Sequence, residues 1–322
     1  MRSLTKALLA ACAAALSVAA SPAAAKYPDR PVTIIVPYTA GGVTDVYARS
    51  IGQQLSEMWG QPVLVDNRAG GGTIIGTHLA ARAAPDGYTI MLTSYGFTSN
   101  QVLKSSLPYD PKAFTPILLI GNSSNMFVIN KDQPFNNLKE IIEWAKKNPG
   151  KLTLASSGNG SSPHIAAELF ATEAGVKITH VPYKGTTPAM TDVMGGQVIG
   201  IFDGPSAMRR VEAGQLKAIA IASAGPHPNA KGVPTFRENG IDVVFGSYFG
   251  FFVPSGTPKD IQEFLFKSIE TAMKAPKVAD VIASTGILLF NGTQQGFKDF
   301  LDAELARLSK LVKTEGVSIV VD

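Results

Sequence analysis

The sequence predicts an α/β protein of two mainly parallel sheets with covering helices and a cleft between two lobes. Two observations carry this. Short β-branched, apolar runs alternate with helix-period segments along almost the whole chain, and most runs end in a turn rich in glycine or serine. Two long extended segments, residues 114–130 and 243–253, interrupt that rhythm and read as crossings between the lobes.

The 322 residues are enough for two ordinary domains, and a composition 45% hydrophobic and 17% charged supports substantial cores. The first 25 residues read as a signal peptide: Arg2 and Lys6 give a positive end, residues 7–20 an apolar run, and Ala23-Ala24-Ala25 a small-residue cleavage pattern. That run is too short to span a bilayer. Cleavage after Ala25 leaves 297 residues from Lys26. Leu9-Ala10-Ala11-Cys12 also looks like a lipoprotein box, but cutting there would leave only residues 7–11 as the apolar core. Cys12 is the only cysteine, so the cleaved chain would have no disulfide, thiol chemistry or cysteine metal site. The net charge of +4 falls to +2 without Arg2 and Lys6, and no basic stripe points to nucleic acid.

In order, residues 32–36 are a strand, β-branched and bounded by prolines. A glycine turn follows, then a helix with Thr44 or a nearby residue as the expected cap. Tyr47, Ile51 and Leu55 recur at helical spacing, and Gly60 stops the helix. Residues 62–67 are a strand, 68–73 a second glycine turn and 74–84 a helix. After the turn Pro85-Asp86-Gly87, residues 88–94 make the third strand, with a polar loop expected through Asn100. In the second lobe, Asn137 caps a helix whose inner face is Leu138, Ile141, Ile142 and Ala145. Residues 152–155 are a strand and 156–162 a serine-glycine loop, with Ser162-Pro163 as N-cap and N1 of a helix through Ala174. A strand at 178–183 leads to a loop where Thr187-Pro188 repeats that start. Strands at 198–203 and 216–222 flank a short helix at 205–213. Amphipathic helices at 258–274 and 296–314 enclose a short helix near Val278 and a strand at 287–290. The expected lobes are therefore 26–122 with 248–322, and 123–247.

Several stretches together resemble one family. They are Pro37-Tyr38-Thr39-Ala40-Gly41-Gly42-Val43-Thr44-Asp45, Val65-Asp66-Asn67-Arg68, Pro85-Asp86-Gly87-Tyr88-Thr89, Ser157-Gly158-Asn159-Gly160-Ser161 with His164, His180-Val181-Pro182-Tyr183-Lys184-Gly185, Gly195-Gly196-Gln197-Val198 ending at Phe202-Asp203, and Val253-Pro254-Ser255-Gly256-Thr257-Pro258 with the last helix to Gly316. The chain is similar in these to the Bug-type extracytoplasmic solute receptors of tripartite tricarboxylate transporters. The resemblance implies a two-lobed periplasmic binding protein type II-like fold that closes on a small organic carboxylate and hands it to a membrane permease. It also implies a periplasmic, non-enzymatic monomer without cofactor. Ala69 and Gly71 depart from the family's usual proline and alanine.

The residues suggest the same site. Backbone N–H groups at a glycine turn before a helix form an anion site. On that basis the backbone N–H groups of residues 40–44, Ala40, Gly41, Gly42 and Thr44 among them, are expected to hold a carboxylate directly or through water, with Tyr38 and Thr39 in the same site and Asp45 fixing the loop or meeting a ligand donor. Gly72, Thr73 and Ser94 belong to the next two turns. Ser157, Gly158 and Ser161 offer donors, His164 stands near them, and Lys184, Gly185 and Thr187 begin the following helix. Asp203 ends a strand facing the cleft, and Tyr248 and Phe97 are candidate walls. Two enzymatic readings compete. Gly70, Gly72 and Gly76 fit a nucleotide turn, but the next strand ends in Thr93-Ser94 without the ribose-binding acid. A serine hydrolase would want a G-x-S-x-G elbow, which is missing. His78, His180 and His227 show no metal spacing. A solute sensor for a signalling partner is not distinguished from a transport receptor. The ligand is left open among dicarboxylates, tricarboxylates, acidic amino acids and aromatic acids.

Overall fold

The computed structural model describes residues 27–314. The signal peptide, Cys12 and Gly316 lie outside the described residues. The first lobe begins with β1 (Val32–Val36), α1 (Val43–Trp59), β2 (Val63–Asn67), α2 (Ile74–Ala81), β3 (Thr89–Ser94) and α3 (Gly96–Leu103). β4 (Phe114–Ser124) runs on into β5 (Met126–Asn130), the first strand of the second lobe. That lobe continues with α4 (Leu138–Lys147), β6 (Leu152–Ser156), α5 (Ser162–Ala174), β7 (Ile178–Pro182), α6 (Thr186–Met194), β8 (Gly200–Asp203), α7 (Met208–Glu212) and β9 (Leu216–Ile221). β10 (Gly246–Pro254) returns, followed by α8 (Lys259–Lys274), α9 (Pro276–Ala283), β11 (Leu288–Leu289) and α10 (Gln294–Thr314).

The first sheet has the order β11-β4-β10-β3-β1-β2 and the second β7-β6-β8-β5-β9. Parallel pairing is confined to β1 with β2 and β3, and to β6 with β7 and β8. The crossing strands pair antiparallel throughout. Both sheets are therefore mixed rather than mainly parallel. Strands that leave and re-enter a lobe need no helical crossover, so they are free to run against their neighbours.

Three residues knit the waist. Asn125 N–H donates to Phe245 O (2.9 Å), Phe245 N–H to Ala222 O (2.9 Å) and Ala222 N–H to Asn125 O (2.7 Å). The helix faces follow the sequence. α1 buries Tyr47, Ile51 and Leu55 and stops at Gly60, whose φ of 66° suits glycine. Asn137 caps α4 through the Glu140 N–H.

Several local expectations are corrected. The loop expected through Asn100 is the helix α3, whose polar residues Thr98, Ser99 and Asn100 are buried and bonded to distant parts of the chain. The N-caps of α1, α5 and α6 are Gly42, Ser161 and Gly185, so Thr44, Ser162 and Thr187 lie inside the first turn. Glycine at the cap costs only a few tenths of a kcal/mol against a hydroxyl residue, so the chain can place the hydroxyl where another contact uses it. β11 is two residues long. Among the described residues, no helix is long and apolar enough to cross a membrane.

Candidate ligand-binding cleft

Between the lobes lies a partly enclosed cavity of about 70 Å³. Three helix N-termini converge on it. Gly42, Val43 and Thr44 come from α1, Ser162 and Pro163 from α5, and Thr186 from α6. The first-turn N–H groups of a helix have no partner within the helix, and its partial charge there is positive. Hydroxyls complete the polar lining: Tyr38, Thr39, Ser94, Ser123, Ser157, Ser206, Ser247 and Thr285 all border it. Tyr47 and Phe249, packed edge to face at 5.1 Å, form the apolar wall. No lysine or arginine lines the cavity among the described residues. The arrangement can solvate an anion with backbone and hydroxyl donors.

The loop around Gly41 is held from behind. Asp45 Oδ2 accepts from Gly41 N–H (2.9 Å) and Arg49 Nε (3.0 Å), and its Oδ1 accepts from Asn67 (2.9 Å). Burial works to raise the Asp45 pKa, but these bonds outweigh it and hold the carboxyl below its ordinary range. Asp45 thus braces the turn and does not line the cavity. The Ser94 and Ser247 hydroxyls meet at 2.5 Å, joining β3 to the returning strand β10.

The other expected residues are distributed around this centre. Tyr38, Thr39, Gly42, Thr44, Ser94, Ser157 and Asp203 line the cavity. Gly72, Thr73, Gly158 and Lys184 line a wider groove of about 680 Å³, which shares Tyr38, Thr39 and Ser157 with it. Gly41 and Thr187 border a recess beside Asp203, where Thr187 Oγ1 donates to Ala40 O across the cleft (3.1 Å). Gly185 lies so close to Thr39 that a Cβ would collide with its hydroxyl oxygen. The Ser161 hydroxyl is buried without a partner but does not border the cavity.

Three residues do not serve as expected. His164 is buried beneath the loop, where its Nδ1 accepts from Gly160 N–H (3.1 Å) and its ring stacks on His180 at 3.7 Å. It supports the serine-glycine loop from below. Tyr248 faces the opposite side of β10, bonded to Thr98 (2.6 Å), because side chains alternate along a strand. Its neighbours Ser247 and Phe249 reach the cavity instead. Phe97 packs in the core against Phe114 and Phe252.

Sequence reasoning missed Ser123, Asn125, Ser206, Ser247 and Thr285. The first two had a visible signal, a polar stretch set between two apolar runs of a crossing strand. Ser206 and Thr285 had none, since each reaches the cavity only through the packing of distant segments.

The comparisons with known proteins agree with this fold. Residues 47–317 match the family model described as "Tripartite tricarboxylate transporter family receptor". Protein BugT of Bordetella pertussis is 33% identical over 311 residues, covering 95% of each chain. A Rhodopseudomonas palustris structure with adipate is 33% identical, covers 90% of this chain and 98% of its own, and superposes with a TM-score of 0.86. MatC from the same species, with bound malate, is 29% identical over 89% of this chain and 100% of its own, with a TM-score of 0.85. The family and these neighbours are solute-binding receptors, not enzymes. The chain belongs to the receptor family of the tripartite tricarboxylate transporters, periplasmic solute-binding proteins of the Bug type.

Proposed function

We propose that this chain captures a small organic carboxylate between its lobes and delivers it to the membrane permease of a tripartite tricarboxylate-type transporter. One observation carries the reading: three helix N-termini and a ring of hydroxyls converge on a cavity that no basic side chain lines. The ligands of the two Rhodopseudomonas structures, adipate and malate, are carboxylic acids. The ligand carboxylate would be held by the N–H groups of residues 42–44 and the hydroxyls of Thr39, Ser94 and Ser157. Residues 26–122 with 248–322 act as one lobe and 123–247 as the other. The chain works as a monomer after removal of residues 1–25.

The energetics are sufficient. A micromolar complex needs about 8 kcal/mol. Hydrogen bonds to a charged group contribute about 1.5 to 3 kcal/mol each, and a helix terminus adds about 0.3 to 2 kcal/mol. Several such contacts in a closed, water-poor cleft reach that range without an arginine clamp.

The test is a thermal-shift panel of mono-, di- and tricarboxylates, aromatic acids and nucleotides on the chain from Lys26. A ligand at 100 times its Kd should add about 2.7 kcal/mol of stability. Shifts with carboxylates alone are expected, whereas a shift with nucleotides alone would overturn the reading.

A further inference from the structure

The same cavity contains one carboxyl, the wrong sign for a simple anion trap. Asp203 ends β8 with only 9% of its surface exposed, and makes no ion pair among the described residues. Burial raises its pKa to about 6, and the Gly204 N–H and the Arg210 charge oppose this only in part. Arg209 and Arg210 border the adjoining recess, not the cavity itself.

A neutral amide borders the same cavity. Met126 pairs with Asp203 across β5 and β8, so Asn125 lies one residue further along the neighbouring strand. Asn125 also lines the cavity, is 3% exposed, and its side-chain oxygen has no hydrogen-bond partner. A second anion brought against the buried Asp203 carboxylate costs free energy, because water screens the repulsion poorly there. The three helix N-termini bring donors to the cavity, and Asp203 brings it an ionisable acceptor. A ligand with only carboxylates satisfies the first and is repelled by the second.

We propose that Asp203 selects carboxylates that carry a hydrogen-bond donor, an ammonium or a hydroxyl group, beside the captured carboxylate. The preferred class is then amino or hydroxy carboxylic acids rather than unsubstituted diacids. This rests on the receptor reading above and narrows its ligand. The charge of Asp203 favours an ammonium group, and its acceptor oxygens suit either.

Calorimetric titration near neutral pH with two length-matched sets tests this: succinate, L-malate and L-aspartate, then glutarate, 2-hydroxyglutarate and L-glutamate. In at least one set, a donor-bearing acid should bind about tenfold or more tighter than its plain diacid, since buried polar groups reject an analogue that leaves them unpaired. Asp203→Asn keeps the shape and removes the charge. It should weaken an ammonium ligand by about tenfold or more and strengthen the plain diacid, narrowing the ratio. Loss confined to the amino acid assigns an ion pair, and equal loss for the hydroxy acid assigns a neutral donor. The native preference is read without any variant, and the melting temperature of the ligand-free variant reports its fold. Plain diacids binding as well as their substituted partners, or ratios unchanged in Asp203→Asn, overturn this inference and leave the receptor reading standing. No binding by any of the six acids overturns this inference, and the wider carboxylate panel then decides the receptor reading.

Discussion

Asp203, buried, and His180, half-buried, are titratable side chains whose effects on stability change with pH in opposite directions. The Asp203 carboxyl titrates near 6 in the folded protein because burial disfavours its charge, against about 4 in an unfolded chain. The folded state binds more protons between these values, so this contribution is complete at low pH and is lost as pH rises through about 6. Asp203→Asn should remove it, and melting temperatures of ligand-free native and variant proteins should converge toward pH 4 and diverge toward pH 7, the native chain melting lower at pH 7. His180 is pushed down to about 3, first by burial and then by the facing His164 ring. Its unfolded value lies near 6.5, so the unfolded chain binds more protons and stability is lost as pH falls toward 3. His180 bonds Ser156 (2.6 Å), at the start of the serine-glycine loop. His180→Gln should flatten the acid limb of the melting curve against pH; an unchanged limb would assign acid sensitivity elsewhere.

At the scale of elements, the turns between strands and helices carry the close approaches. Gly72 has φ 59°, and a Cβ there would meet the Asn159 carbonyl oxygen of the opposite lobe at 2.5 Å. An L-residue in that left-handed conformation costs about 1 to 2 kcal/mol. Gly72→Ala should lower the ligand-free melting temperature by several degrees. Its larger effect should be on ligand affinity, because the collision exists only with the lobes together. Titration should show a loss of about tenfold or more, equivalent to at least 1.4 kcal/mol. Affinity equal to the native chain would mean that the bound state does not need this approach. Ser99 makes a companion contact, its hydroxyl donating to Gly160 O at 2.5 Å, which explains why α3 is helical and buried despite its polar sequence.

For the whole molecule, closure is a balance of few contacts. The Thr187–Ala40 and Ser99–Gly160 hydrogen bonds cross the cleft directly, and each such bond is worth only about 1 kcal/mol net. The waist at Asn125, Ala222 and Phe245 joins the lobes through short crossing segments, a geometry suited to hinge motion. Without ligand the lobes should therefore separate part of the time, and ligand should shift the population toward the closed form. Small-angle scattering should show a smaller radius of gyration at saturating ligand. No change on saturation would mean that the lobes stay closed when empty.

The sequence by itself determined the order of strands and helices apart from α3, the two crossings and the first glycine turn. These are written locally, in β-branched runs, helical periodicity and glycines that only certain turns accept. Tyr47, Ile51, Leu55 and Gly60 are legible this way because each acts within its own element. The cavity residues split on the same line. Thr39, Gly42 and Ser157 belong to turns visible in the sequence, whereas Ser206, Ser247 and Thr285 reach the cavity only because distant segments pack against it. Tertiary structure also decided the parity of β10, which turned Ser247 inward and Tyr248 away, and the antiparallel course of the crossing strands. Polarity misled where a buried partner satisfied it: Thr98, Ser99 and Asn100 read as a loop, yet their partners lie far along the chain. Hydrogen bonds between distant residues leave no period in a sequence, so only the folded chain reveals which polar groups are paired.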